Sequence, residues 1–235
     1  LEGALAMKRD KGLRIILVSF AIALMGCVCS ATQVPRSQNA RKRFVESIEE
    51  KTVALTEVDK RGNITPYCSG VWVSENKIVT AAHCTEDRDI IIYITKKDLN
   101  KGDLQLRLSA KLKSDESSDL AILLTDPGST PKHKSARIIS NSDVWSGKKL
   151  YIVGHTAGMW WTYTEGVISS SIRSMYDEGR TPSIQVSAPI WLGNSGGGAF
   201  DENGDLVGIC SWISVKGPNL AFFMPPEAIV KILGK

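Results

Sequence analysis

From Val53 onward the chain is a succession of short apolar segments, each closed by turn chemistry, with no helix-length pattern between them. The segments run Val53 to Val58, Gly70 to Ser74, Ile78 to Ala81, Ile90 to Ile94, Leu104 to Leu108, Leu120 to Leu124, Leu150 to Gly154, Gly166 to Ser170, Ile184 to Ser187, Leu206 to Ser211 and Leu220 to Phe223. The stretches that separate them include "DKRGN", "SENK", "DPGS", "WSGKK", "DEGR", "DENGD" and "VKGPN", rich in the residues that tight turns use. A βαβ sheet needs a helix between strands, so this spacing predicts an all-β sandwich or barrel pair. "LQLRL" alternates and reads as a strand with one exposed face, whereas "IIIYI" and "LAILL" are continuously apolar and read as more deeply buried. Helices are expected only outside this pattern, over Ala40 to Lys51 and over Pro226 to Leu233, the latter amphipathic with prolines at its start. With 235 residues, 43% of them hydrophobic, the chain can build one domain or two small subdomains sharing an interface.

The first thirty residues are different in kind. Leu1 to Ala6 read as a scar ahead of the true start at Met7, and Lys8, Arg9, Lys11 and Arg14 then precede an apolar run from Ile15 to Cys29. A basic flank followed by a run too short to span a bilayer is an export signal. "LMGC" at its end resembles the bacterial lipobox, which leaves two outcomes open: acylation of Cys27, tethering the protein to a membrane, or cleavage near Ala31. The expected layout is therefore a targeting segment over 1–31, a linker over 32–43 and a folded domain over 44–235. The net charge of +4 comes largely from this basic N-terminal third. No basic helix face and no interleaving of aromatic and basic residues accompanies it, which argues against a nucleic-acid partner. Both outcomes place the protein outside the reducing cytosol, where one bridge among Cys68, Cys84 and Cys210 is permitted. Cys210, in the apolar "VGICSW", reads as buried and inert.

The stretch "APIWLGNSGGGAF" sets Ser195 among glycines just ahead of an apolar run. A serine hydroxyl is a weak nucleophile at neutral pH, so chemistry at Ser195 requires a base, a group that orients the base, and donors for an oxyanion. The chain has three histidines. His133, in "STPKHKS", reads as a surface residue; His155 ends the strand "LYIVG" and either lines a pocket or serves the structure; His83 ends an apolar strand beside Cys84. Asp119 stands immediately before "LAILL", at the lip of a buried strand, where either an imidazole pairs with it or it simply ends a solvated loop.

"TAAHC" at Thr80 to Cys84, "SDLAILL" at Ser118 to Leu124 and "GNSGG" at Gly193 to Gly197 resemble, in the same order, the His, Asp and Ser signatures of chymotrypsin-fold serine proteases. The resemblance implies two six-stranded β-barrels, about 44–135 and 136–235, with the active site between them and a short C-terminal helix. It implies His83 as general base, Asp119 as its orienting carboxylate and Ser195 as nucleophile, with the amides of Gly193 and Ser195 as oxyanion hole. It also implies a Cys68 to Cys84 disulfide, no metal and no organic cofactor. The digestive branch of the family forms its oxyanion hole through an aspartate that pairs with a new N-terminal amine; the matching residue here is Asn194. "GHTAG" followed by "TYTEGVISS", and the closing "LAFFMPPEAIVKIL", are similar instead to the protease domain of bacterial Do-like proteases, whose PDZ domain would follow the last segment and is expected to be absent.

By the same resemblance, Pro189, Ile190, Trp191 and Leu192 wall one side of the specificity pocket and Ser211, Trp212 and Ile213 the other. Pro189 stands where enzymes that cut after basic residues carry an aspartate, so a buried substrate lysine finds no partner there. Ile213 replaces a glycine of wide-pocket enzymes and narrows the entrance, favouring small or medium apolar side chains. The reading is an exported serine endopeptidase acting on polypeptides through an acyl-enzyme. Its rivals are a latent protease fold that binds peptides or a partner without cutting them, and a structural protein of an envelope or particle whose proteolysis is confined to assembly or self-processing. Homo-oligomer formation through Ala40 to Lys51 is a family expectation only.

Overall fold

Turn chemistry at each gap lets successive strands run back along one another, and in the computed structural model every ladder between strands is antiparallel. The structure describes residues 37–100, 105–126, 128, 132–173, 181–215 and 217–234. The targeting segment, with Cys27, lies outside them. The chain divides into Leu1–Phe44 and Val45–Lys235, and both barrels belong to the second unit. A helix, α1, covers residues 37–49.

The first barrel contains β1 (Thr52–Val58), β2 (Ile64–Ser74), β3 (Lys77–Ala81), β4 (Ile90–Thr95), β5 (Arg107–Asp115) and β6 (Leu120–Thr125), closed in the order β1-β2-β3-β6-β5-β4. The second contains β7 (Lys149–Gly154), β8 (Thr162–Arg173), β9 (Ser183–Ser187), β10 (Gly198–Phe200), β11 (Leu206–Ile213) and β12 (Leu220–Met224), closed as β10-β11-β12-β9-β8-β7. Closure removes free sheet edges and lets each barrel fill its own interior. Val53, Leu55, Trp72, Ile78, Tyr93 and Leu123 fill the first; Leu150, Ile152, Ile184, Val186, Val207 and Phe223 fill the second. A short helix α2 (Lys96–Asn100) follows β4, and α3 (Pro226–Leu233) ends the described fold. Pro226 opens α3, Ile229 and Ile232 are buried, and Gly234 closes it at a φ of 74° with its N–H bonded to Lys231 O.

The all-β barrel pair with a C-terminal helix stands as expected, with local differences. β2 and β8 start earlier than read, β10 and α2 were not read, and α1 spans 37–49 rather than Ala40 to Lys51. β10 hid because its "GGGAF" run carries little strand propensity; its glycines are set by close contact, since a Cβ on Gly197 would lie 2.6 Å from Val153 O. The "LQLRL" strand starts at Arg107 and faces the unusual way: Leu108 and Leu112 are 61% and 52% exposed, while Arg107 turns inward. The reason is Asp98, which is fully buried and takes bonds from Arg107 Nε at 3.1 Å, Arg107 Nη2 at 3.0 Å, and the Thr95 N–H and hydroxyl. His133 is not a plain surface residue either: it stacks on Trp72, ring centroids 3.8 Å apart, with Nε2 3.0 Å from Glu75 O.

Candidate active site

The end of β3 leads into a tight turn over Ala82–Thr85 that carries His83. Two constraints hold this turn. Cys84 is bonded to Cys68 on β2, closing the disulfide, and Ala82 N–H donates to Asp119 O at 3.0 Å. Asp119 sits between β5 and β6 at a φ of 47°, a left-handed conformation that aspartate tolerates better than most residues. Its Oδ1 accepts from the His83 N–H at 3.0 Å, and its Oδ2 lies 2.9 Å from His83 Nδ1. A further bond comes from the second barrel, where Ser211 Oγ donates to Asp119 Oδ2. The register of β11 against β12 shifts between Cys210 and Trp212, so Ser211 is the bulged residue, and a bulge re-aims a side chain in this way.

These contacts set the charges. Burial pushes the Asp119 carboxyl up, but the hydrogen bonds from His83 and Ser211 outweigh it and hold it below the usual carboxylate range. The bond to Asp119 raises the imidazole of His83, against an opposing effect of burial. Asp119 is thus ionised at neutral pH and engages Nδ1, leaving Nε2 of the 41% exposed His83 side chain for the cleft.

Ser195 lies on the loop between β9 and β10. Asn194 N–H donates to Trp191 O at 3.1 Å, and Gly193, third of the four residues, has a φ of 92°: a type II turn with glycine where a positive φ is needed. Three residues outside the loop, Ala157, Thr156 and Ser69, hold it. Ala157 N–H donates to Leu192 O at 2.6 Å; with no cis peptides among the described residues, the Gly193 N–H therefore points away from Ala157. Asn194 Nδ2 donates to Thr156 Oγ1 at 2.7 Å and to Trp191 O at 3.2 Å. Ser69 on β2 donates from its backbone N–H to Ser195 O at 2.8 Å and from its hydroxyl to Gly193 O at 2.8 Å.

A histidine–serine contact lies behind this loop. His155 Nδ1 is 2.9 Å from Ser69 Oγ, and the His155 N–H donates to the same oxygen at 3.2 Å. His155 is fully buried, and burial, helped by the Lys96 ammonium, pushes its imidazole down to about 3. Trp161, itself buried and bonded through Nε1 to Glu49 O, lies edge-on to it with ring centroids 4.6 Å apart. Of the roles open to His155, lining a pocket is thereby removed.

His83, Asp119, Ser195, Trp191, Leu192, Ser211, Trp212 and Ile213 line one cleft of ≈ 620 Å³ between the barrels. Trp212 stacks on Phe222 at 3.6 Å and forms part of the wall as well. Two of the residues assigned to the pocket fall elsewhere: Ile190 is buried in the core of the second barrel, and Pro189 is exposed outside the lining. Cys68 and Cys84 sulfurs and a His83 ring nitrogen lie within 4.8 Å of one another, but the sulfurs are bonded to each other and offer no thiolate to a metal. Cys210 is a buried free thiol that burial pushes up to about 12.

Residues 68–209, more than half of the chain, match the family model of the trypsin-like peptidase domain. The chain belongs to this family. Its relatives include a probable periplasmic serine endoprotease DegP-like of Pseudomonas fluorescens, 32% identical over 66% of this chain and 31% of the relative, and the anti-sigma-I factor RsgI9 of Acetivibrio thermocellus, 27% identical over 82% and 26%. The chain spans between about a quarter and a third of the length of these curated relatives. The fold is shared with the HtrA-type protease AlgW with tripeptide, at a TM-score of 0.68 and 24% identity over 81% of this chain and 61% of that one. Within the trypsin-like fold, sequence reasoning missed Ser69, Thr156 and Ala157 as supports of the Ser195 loop. They act at separations of 124 residues for Ser69 and 38 for Thr156, and no local pattern marks them.

Proposed function

We propose that this trypsin-like domain is a serine endopeptidase in which Ser195 attacks a peptide carbonyl, His83 takes the hydroxyl proton and passes it to the leaving amine, and water clears the acyl-enzyme. The observation that carries the reading is the Asp119 bond to His83 Nδ1 on the cleft that Ser195 lines. That bond selects the tautomer whose Nε2 is free to accept a proton, and it stabilises the imidazolium that follows. The Gly193 and Ser195 N–H groups are the oxyanion donors, and the type II turn at Gly193 supports a hole formed before substrate arrives.

The substrate is an extended polypeptide. The β10 ladder ends at Gly198 opposite Ile209, so Ser211–Ile213 have only β12 beside them and can take a peptide as an added strand. Ile213 and Leu192 in the cleft wall support a preference for small or medium apolar side chains before the cut. Export is supported by the basic and apolar N-terminal segment and by relatives named periplasmic, with Cys27 acylation or cleavage near Ala31 as its two routes.

The test is labelling by a fluorophosphonate, alongside Ser195→Ala and His83→Ala. Labelling lost in both variants, with cleavage of a peptide library by the parent protein, is the expected result. A folded, oxidised protein that neither labels nor cuts would return the assignment to a peptide-binding module.

A further inference from the structure

We infer that His155 and Ser69 form a positioning pair in which the histidine tautomer aims the serine hydroxyl at Gly193 O and so holds the oxyanion turn in place. The inference rests on the peptidase reading above but not on its chemistry, since neither residue lines the cleft.

The argument is a count of protons. Ser69 Oγ has one hydrogen to give and two lone pairs to fill. Three groups surround it: Gly193 O at 2.8 Å, which can only accept; His155 N–H at 3.2 Å, which can only donate; and His155 Nδ1 at 2.9 Å, which does either. With the proton on Nδ1 all three bonds are made at once: two donated into Ser69 and one from it to Gly193 O. With the proton on Nε2 instead, the serine must choose between the imidazole and Gly193 O, and the turn loses a support. Burial keeps the ring neutral, so one proton and two sites remain. Nε2, buried with no hydrogen-bond partner among the described residues, is where a bare lone pair is expected.

The consequence reaches Ser195. The same residue that donates its hydroxyl to Gly193 O donates its backbone N–H to Ser195 O, so Ser69 fixes both ends of the segment that carries the oxyanion donors. Close approach leaves no slack: a Cβ on Gly193 would lie 2.2 Å from His155 O.

The tautomer is read directly by 15N NMR of the full chain carrying labelled histidine. The expected spectrum has Nδ1 of His155 protonated and Nε2 not, unchanged across the range in which His83 titrates. An Nε2–H tautomer would overturn the inference. Kinetics supply the second arm. Ser69→Ala and His155→Leu are expected to lower kcat by about 10- to 100-fold, the scale of a misplaced reacting group, with KM changed by less than about 3-fold. His155→Asn, which keeps a donor near the Nδ1 position, and Ser69→Thr, which keeps the hydroxyl, are expected to recover most of the loss. An unchanged kcat in the first two variants, or His155→Asn as poor as His155→Leu, sinks the pair as a positioning device. If the parent protein cuts nothing, the peptidase reading fails while the 15N spectrum still decides the tautomer.

Discussion

Asn194 Nδ2 lies 2.7 Å from Thr156 Oγ1, so a neutral amide, 2% exposed, anchors the loop ahead of Ser195. The digestive branch uses a carboxylate there, and Asn194→Asp tests what the change of chemistry means. The aspartate loses the bond donated to Trp191 O and sets a charge against that carbonyl in a buried site. A cost of about 2–4 kcal/mol at pH 7 is expected. Because burial raises the folded pKa of this new carboxyl, the cost is present above that pKa and recedes as pH falls and the group protonates. Asn194→Ala is expected to cost about 1–2 kcal/mol with no such pH dependence. Urea unfolding of both variants at pH 7 and pH 4, each against the parent protein, makes the comparison.

The His83–Asp119 pair predicts the acid limb of activity. His83 must be neutral to accept a proton, and its pKa is raised above 6.5 by the bond to Asp119, so kcat/KM is expected to fall as pH drops through a value above 6.5. Asp119→Asn removes that cause; it should move the limb down and lower kcat by about 10⁴-fold, the loss seen when the wrong tautomer is held. For stability the signs are opposite for the two partners. The raised His83 contributes below its unfolded value near 6.5 and loses that contribution as pH rises through the folded value. The lowered Asp119 contributes above 3.8 and loses it as pH falls. The pair therefore stabilises most between those two unfolded values, which an NMR titration of His83 together with unfolding at several pH values would check.

The Cys68–Cys84 bridge closes a loop with a sequence separation of 16 residues. Loops of that size restrict the unfolded chain by about 3 kcal/mol. Cys68→Ser with Cys84→Ser is expected to lower stability by about 2–4 kcal/mol and to lower kcat, because His83 adjoins the bridge. Reductant should bring the parent protein to the level of the double variant and leave the variant unchanged. Cys210, with its thiol pushed up to about 12, should resist a thiol reagent in the folded protein, and rapid native-state labelling would contradict its burial.

Legibility in the sequence followed the range of the interactions. Strands came through because their apolar runs and turns are local, whereas His83 and Asp119 were left open by their own surroundings and joined Ser195 only through three motifs that resemble a known family. The inverted face of β5 did not, since alternation marks a strand without saying which face is inside; Asp98, nine residues before Arg107, decided that. Ser69 and His155 were hidden for a stronger reason. Their meaning lies in a contact across 86 residues, and in a hydrogen position that composition cannot carry.

Ile213 offers a test of specificity. It lines the cleft and packs in part against the core of the second barrel, so its side chain both narrows the site and holds the wall. Ile213→Gly is expected to widen acceptance from small or medium apolar residues toward aromatic ones, with the ratio of kcat/KM values moving by about 10- to 100-fold, the range that a few methylenes in an apolar pocket command. Loss of partly buried surface should lower stability by about 1–2 kcal/mol. Cleavage profiling on a peptide library, with unfolding measured alongside, separates the two effects. A profile that stays unchanged would move the determinant to Trp191 and Leu192, which are 54% and 66% exposed and line the same cleft.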